Sequence, residues 1–456
     1  MQITIQKTAI KHQKQHHFSK LWVQQTLRWG IALAFVGWSS LPAWSQTLSQ
    51  KVLAMEGGLE KEFEDYFGEN LADVTQTPEK IAQTLQQIGQ ATNTKPAVLW
   101  VIPREDHLHL VLLTPGGTPI VRDLHDVPTT KLRSVVEAFH LEMHSSPSKV
   151  KMTAAQQLYQ WIIQPYEADY LQAEKIDTIL FCLGKGVRSL PLAALYDGKQ
   201  FLIEKYSLTR IPAFNLIQTD YVQMKPGQIL AMGASEFRDQ SPLPAVPTEL
   251  ATILKELQSD RPPQAQWQGR SFLNQGFTLA NLQQWVKTQP PQIVHLATHA
   301  VFKPGKPANS YIQLWDSKLA LDTIRQVNWG SPALELLVLS ACRTAIGDDQ
   351  AELGFAGVAL KSKVKTVMAS LWNVSDEGTL ALMSEFYRQL GTTSTKAAAL
   401  RQAQLKMLHG DTRIEGKKLI LSRGSVTLPA ELKNVTSDDL SAPYYWAAFT
   451  LISSPW

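Results

Sequence analysis

Cysteine is almost absent: 456 residues hold two, Cys182 and Cys342. That excludes a disulfide framework, and at most one bridge between those two remains open. Charge is also scarce, at 18% Asp, Glu, Lys and Arg, below the ~25% of ordinary soluble domains, while the apolar share of 44% is typical,. Such a chain buries a core and is not disordered. The net charge of +4 comes from one end, because residues 1–28 carry Lys7, Lys11, Lys14, Lys20 and Arg28 and no acid. The remainder is close to neutral and shows no basic stripe, which excludes a nucleic-acid-binding role. A repeat of ~34 residues is missing as well, so a helical array is not expected within these residues.

The basic start runs into a short apolar stretch, Trp29–Ser39, and then Leu41-Pro42-Ala43-Trp44-Ser45-Gln46. A basic segment, a short apolar core and a small-residue exit describe a secretory signal peptide over 1–45, with cleavage before Gln46. The core is short of the ~20 residues that a span requires. An uncleaved amino-terminal anchor is the alternative, and it is the one route to membrane contact. Either way the body is expected outside the cytoplasm.

Residues 46–95 read as a helical lead-in, with helices at Lys51–Gly68 and Pro78–Thr92. Pro78 suits a first turn, and Ile81, Leu85 and Ile88 share a face. Residues 96–222 alternate strands (Ala97–Ile102, Leu108–Leu113, Pro119–Arg122, Thr178–Leu183) with helices (Lys131–Met143, Thr153–Tyr170),. Cys182 lies inside Ile179–Leu183 and reads as a small buried hydrophobe. His107, His109, His140 and His144 fall here; His140 and His144 are spaced i, i+4 but lack a third ligand. They are assigned to a solvated helix end, and no metal or other cofactor is expected.

Residues 223–456 contain six strands: Gly227–Gly233, a weak one near Ala265–Gly269, Ile293–Leu296, Leu337–Ser340, Thr366–Ser370 and Trp446–Ile452. Most are joined by helices, which calls for a mostly parallel sheet covered on both faces. Residues 409–443 read as a polar, mobile surface loop. In such sheets chemistry collects at the carboxyl ends of the strands. IVHLATHA (293–300) and LLVLSACRTA (336–345) each follow an apolar run with polar residues, so His299 and Cys342 are expected at neighbouring strand exits, 43 residues apart in sequence. A thiol is a useful nucleophile as thiolate, and a nearby imidazole is the usual base that produces it. His295, four residues earlier, reads as a satisfied core histidine. Asp348, Asp349 and Glu352 read as a solvated loop, and Ser375 or Asp376 as the cap of the helix Asp376–Leu390.

HLATHA, LSACRTA, the GFAGVAL helix, ASLWNVSDEGTLALMSEFY and the terminal YYWAAFTLI resemble the CHAT family, caspase-like domains of the bacterial branch of the clan that contains caspases, gingipains and separase. The resemblance covers roughly residues 78–456. It implies an α/β caspase-like three-layer sandwich with a six-stranded, mostly parallel sheet, preceded by a related non-catalytic α/β half. It implies a cysteine endopeptidase acting on a protein or peptide substrate through Cys342 and His299. The oxyanion donors it implies are the backbone N–H groups of Cys342 and Ala300. Glycine is usual at the second position, and a positive φ there would strain alanine. The alternative is a weak or inactive caspase-like module that binds a protein partner.

Overall fold

The computed structural model describes residues 47–73, 75–143, 152–258, 266–329, 334–344, 347–432 and 439–456, with backbone only for 341–344. The expected signal segment, 1–45, and His144 lie outside these residues. Among the described residues no helix is long and apolar enough to cross a membrane.

Helices α1 (Leu48–Phe67) and α2 (Pro78–Thr92) open the chain, capped by Thr47 and Thr77, whose hydroxyls accept from the N–H three residues on,. An antiparallel meander follows: β1 (Pro96–Pro103), β2 (Leu108–Leu113) and β3 (Ile120–Leu124). Next come α3 (Thr129–Met143), α4 (Thr153–Ile162), α5 (Gln164–Tyr166), β4 (Thr178–Leu183), α6 (Leu202–Lys205) and β5 (Ser207–Ile211). The single helix expected over Thr153–Tyr170 is broken at Pro165, which has no N–H to continue it, and resumes as a π-turn over Glu167–Gln172,.

The second half runs β6 (Gln228–Gly233), α7 (Val246–Gln258), β7 (Gln268–Leu273), α8 (Leu279–Thr288), β8 (Ile293–Phe302), β9 (Tyr311–Gln313), β10 (Lys318–Ala320) and β11 (Leu336–Thr344). It continues through α9 (Asp349–Ala356), α10 (Val358–Ser362), β12 (Thr366–Ser370), α11 (Asp376–Leu390) and α12 (Lys396–Leu408). Three short strands, β13 (Arg413–Glu415), β14 (Lys418–Ile420) and β15 (Ser425–Thr427), precede α13 (Pro443–Trp446) and β16 (Phe449–Ser453).

All six expected strands of this half pair in the order β7-β6-β8-β11-β12-β16, parallel except for β16. The sheet continues past them. β16 pairs parallel with β5, and the order runs on through β4, β1, β2 and β3. Thr209 Oγ1 reinforces that joint by donating to the carbonyls of Leu451 (3.2 Å) and Ser453 (3.0 Å). Both halves therefore share one sheet.

Alternation along the strands makes the layers. On β1 and β4, Val98, Trp100, Leu180 and Cys182 pack with α1 and α2, while Leu99, Val101, Ile179 and Phe181 pack with α3 and α4,. α1 is integral to this core. Its buried Glu56 accepts from Trp100 Nε1 (2.6 Å) and from the N–H groups of Phe214 (3.1 Å) and Asn215 (3.0 Å).

The 409–443 segment is corrected. Its described part carries the β13-β14-β15 sheet, because Ile414, Leu419, Leu421 and Leu428 are spaced to bury together. Glu385 of α11, fully buried, ties it down by accepting from Thr412 Oγ1, Ser422 N and Ser422 Oγ at 2.6–3.0 Å.

Candidate active site

β8 and β11 do not end where the apolar runs end. They remain paired to Phe302 and Thr344, with Ala341 opposite His299, Cys342 opposite Ala300 and Thr344 opposite Phe302. The polar residues after each run are held by strand partners, which outweigh local composition. His299 and Cys342 thus lie within paired strands and not at open exits. The backbone still puts them one register step apart on adjacent parallel strands, positions that a regular ladder turns to opposite faces,. The register shifts between them and the core: Leu339 faces Leu296 and Ala341 faces His299, so Ala297 and Thr298 together oppose Ser340. This is a β-bulge, a device that re-aims the side chains beyond it.

The His299 ring is half-buried and tilted against Phe237, with ring centroids 4.7 Å apart. Its Nε2 lies 2.9 Å from the carbonyl oxygen of Ser241. A carbonyl accepts only, so Nε2 carries the proton and Nδ1 of the neutral ring holds the free lone pair. Burial pulls the imidazole below its usual value, against the opposing pull of the Ser241 carbonyl, so the neutral base form is favoured,.

Ser241 belongs to the loop between β6 and α7, which is fastened along its length. Ala234 N–H donates to Ala297 O (3.1 Å), Ser235 N–H to Asn274 Oδ1 (2.8 Å) and Leu243 N–H to Ser235 O (2.9 Å). Ala245 N–H donates to Asp376 Oδ2 (3.2 Å). The helix cap at α11 is Ser375, which accepts from Gly378 N, so Asp376 holds the loop instead of capping. Burial raises its carboxyl to about 6, opposed by the Ala245 N–H and aided by Glu249 and Glu377.

His295 is fully buried between α7 and α11, with Nε2 2.9 Å from Glu249 Oε1 and Nδ1 3.0 Å from Tyr387 Oη. It is the satisfied core histidine expected. Cys182 is buried too; its thiol donates to Pro212 O at 3.2 Å and burial raises its pKa strongly. β12, β16 and β5 stand between its strand and β11, a gap of roughly 19 Å at strand spacing. That rules out a bridge to Cys342.

Ala300 keeps the extended backbone of β8, without a positive φ, so a methyl group is unstrained there. Glu352 is corrected: it is 2% exposed, accepts from Ser189 Oγ (2.5 Å) and Gly347 N (3.0 Å), and burial raises its carboxyl. It holds the backbone at Gly347, five residues past Cys342. Asp348 caps α9 and Asp349 meets Lys185 at 2.7 Å. His140 is half-buried, 3.4 Å from Ser189 Oγ, and is not a solvated helix end. The Ser241 carbonyl carried no sequence signal, and the meeting of His107, His109, Asp106, Asp123 and His125 at the β2–β3 hairpin showed only as His-x-His and Asp-x-His alternation.

Beside Phe237 opens a groove of about 800 Å³, running between the β6–α7 loop and the β9–β10 hairpin. Arg238, Asp239, Tyr311, Trp315 and Lys318 line it, giving aromatic surface with charges of both signs.

No curated protein matches the chain. Among solved structures, the Saccharomyces cerevisiae separase–securin complex is similar, with TM-score 0.51 and 12% identity over 91% of this chain and 34% of the matched one. The chain therefore spans about a third of that relative's length, and the likeness is one of fold. The Arg specific cysteine proteinase gingipain R gives TM-score 0.38 at 12% identity over 70% of this chain and 69% of that one. A complex of Porphyromonas gingivalis RgpB pro- and mature domains gives 0.38 at 12%, over 72% and 77%. Separase and gingipain both belong to the caspase-like clan. The model of the CHAT domain matches residues 153–454, from α4 to the last strand of the shared sheet, and so the chain belongs to the CHAT family.

Proposed function

We propose that the protein is a cysteine endopeptidase that cleaves an extended segment of another protein, with Cys342 as nucleophile and His299 as base. The observation that carries this reading is the bond from His299 Nε2 to the Ser241 carbonyl. It leaves Nδ1 as the basic nitrogen of a ring whose strand neighbour carries the chain's second cysteine one step along.

In the reaction the β8–β11 ladder opens beyond His299, the Cys342 thiol gives its proton to Nδ1, and the thiolate attacks the scissile carbonyl carbon. The imidazolium then protonates the departing amine as the C–N bond breaks. Water, losing its proton to His299, hydrolyses the thioester and restores the thiol. The N–H groups of Cys342 and Ala300 receive the oxyanion, an interaction worth roughly 3 kcal/mol per donor. The groove beside Phe237 takes the substrate as an extended strand, in the manner of peptides that dock along a sheet. The signal segment makes the protein extracytoplasmic, anchored if that segment is retained.

A second reading is a latent module that binds a protein without cutting it. One observation favours it: β8 and β11 stay paired past His299, so Ala300 and Cys342 sit inside a ladder. An oxyanion hole needs N–H groups that no strand has taken. Incubation with an electrophilic peptide library, read by intact mass, separates the two. The peptidase acquires one adduct that Cys342→Ala lacks; a folded protein that acquires none is the latent module.

A further inference from the structure

We propose that the β2–β3 hairpin carries a binding site for a divalent transition-metal cation of the zinc class, with His107, His109 and Asp123 as protein ligands. β2 and β3 pair antiparallel with His109 opposite Asp123. The same register brings His107 opposite His125, one step beyond the last ladder pair Leu108–Leu124. Residues two apart on a strand share a face, so the four positions 107, 109, 123 and 125 form one quadrilateral. Further along that face Val111 and Val121 pack under α1 and α2. At this end the apolar residues give way to three imidazoles and a carboxylate.

The distances suit shared ligation. His109 Nδ1 is 2.5 Å and His107 Nε2 3.5 Å from Asp123 Oδ1, and the ligand atoms of the three residues lie within 4.8 Å of one another. The triad is half-buried on its imidazole side and open on its carboxylate side, with exposures of 19% and 23% for the two rings and 39% for Asp123. A cation therefore has an entry path and room for a water or the ring of His125, whose centroid is 5.0 Å from that of His107.

Asp106 supplies the outer support. Its Oδ1 is 2.7 Å from His107 Nδ1, and a carboxylate only accepts, so Nδ1 carries the proton and Nε2 presents its lone pair to Asp123. That carboxylate–histidine–metal relay is how metal-bound imidazoles are fixed in tautomer and orientation. On binding through Nδ1, His109 carries its one ring proton on Nε2, and the cation takes the place of the proton that Nδ1 now donates to Asp123. Two nitrogens and one oxygen with an open position match zinc and its neighbours better than the hard, all-oxygen preferences of calcium or magnesium.

β3 is the last strand of the sheet, an edge that invites pairing with other chains,. A cation shared by β2 and β3 pins that edge strand. Seven strand steps separate β2 from β8 in the sheet order, on the order of 30 Å, so the cation has no part in the chemistry at Cys342.

The test is titration of the full chain with zinc ion, counting bound equivalents, beside His107→Ala/His109→Ala, Asp123→Asn and Asp106→Asn. The expected result is loss of one equivalent in the double variant. Binding at that site should weaken at least ~10-fold in Asp123→Asn and ~10- to 100-fold in Asp106→Asn. Cobalt substituted at the site should give visible ligand-field bands without a thiolate charge-transfer band, which excludes Cys342 as the source. Labelling of Cys342 should be unchanged in all three variants. If the double variant fails to fold, the two asparagine variants carry the test alone. Equal zinc uptake by native protein and variants, or no uptake, overturns the proposal.

Discussion

His295 and His299 lie four residues apart on one strand, and the two halves of β8 treat them oppositely. The inner half runs between β6 and β11, both parallel to it, and His295 there is sealed between Glu249 and Tyr387 with both nitrogens occupied. The outer half runs between β11 and the antiparallel β9, and His299 there is half-buried with one nitrogen on a backbone carbonyl. The bulge at Ala297 and Thr298 lies between the halves, where β6 stops at Gly233 and β9 has yet to begin. The same side chain becomes a packing element or a candidate base according to which strands flank it.

The sharpest way to break this contrast is to remove each ring. His299→Ala should slow labelling of Cys342 by an electrophilic peptide by roughly 100-fold or more, the scale of lost general-base assistance. Its thermal midpoint should stay near that of the native protein, since a half-buried ring leaves little cavity. A variant that labels at the native rate removes the imidazole from the chemistry. His295→Ala should show the reverse pattern. It leaves a cavity and two buried groups, Glu249 and Tyr387, without their shared partner, at a cost of about 2–4 kcal/mol in urea unfolding. Labelling per folded molecule should be unchanged. If His295→Ala loses labelling with its stability intact, the assignment of the two rings is inverted.

A pH profile sharpens the same contrast without mutation. Burial lowers the pKa of His299 below its ordinary 6.5. The imidazole therefore stays neutral, and able to accept the thiol proton, down through pH 6.5. Labelling should fall only below that point, approaching tenfold per pH unit. An acid limb centred above pH 7 would mean that another group titrates.

The sheet was legible because its strands are apolar runs that alternate with helices, and Ile293–Leu296 and Leu336–Leu339 are buried at every position. The outer half of β8 was not. Thr298 and His299, like Arg343 on β11, look like loop residues, and only the pairing of the two strands shows them to be in strand. β9 and β10 are three residues each, too short for any period to show. Ser241 acts through its carbonyl, which every residue possesses, so no residue type could have marked it. The hairpin cluster is an intermediate case. His-x-His and Asp-x-His are visible as alternation on two strands, yet they converge only once the register sets His109 against Asp123. The i, i+4 spacing of a helix face, as in His140 and His144, is not the spacing that brings these ligands together.

The smallest effect concerns the support of the outer half, through Asp376. Burial raises its carboxyl from an ordinary 3.8 to about 6, while its Oδ2 accepts from Ala245 N–H at the end of the Ser241 loop. Between pH 4 and 6 the folded protein holds a proton there that the unfolded chain has released. Its contribution to stability therefore falls as pH rises through that window, by on the order of 2 kcal/mol once both states are ionised. Asp376→Asn keeps an oxygen for the Ala245 N–H and has nothing to titrate. Its unfolding free energy should decline less between pH 4 and 6 and exceed the native value by about 1–2 kcal/mol at pH 7, with Cys342 labelling little changed. Asp376→Ala removes the acceptor as well, so the loop loosens and labelling should slow several-fold, because Ser241 then holds His299 less firmly. Urea unfolding at pH 4, 5, 6 and 7 reads the first effect and adduct formation reads the second. An asparagine variant with the native pH slope would show that Asp376 is already ionised in the fold, and an alanine variant that labels at the native rate would show that the Ser241 carbonyl is held without it.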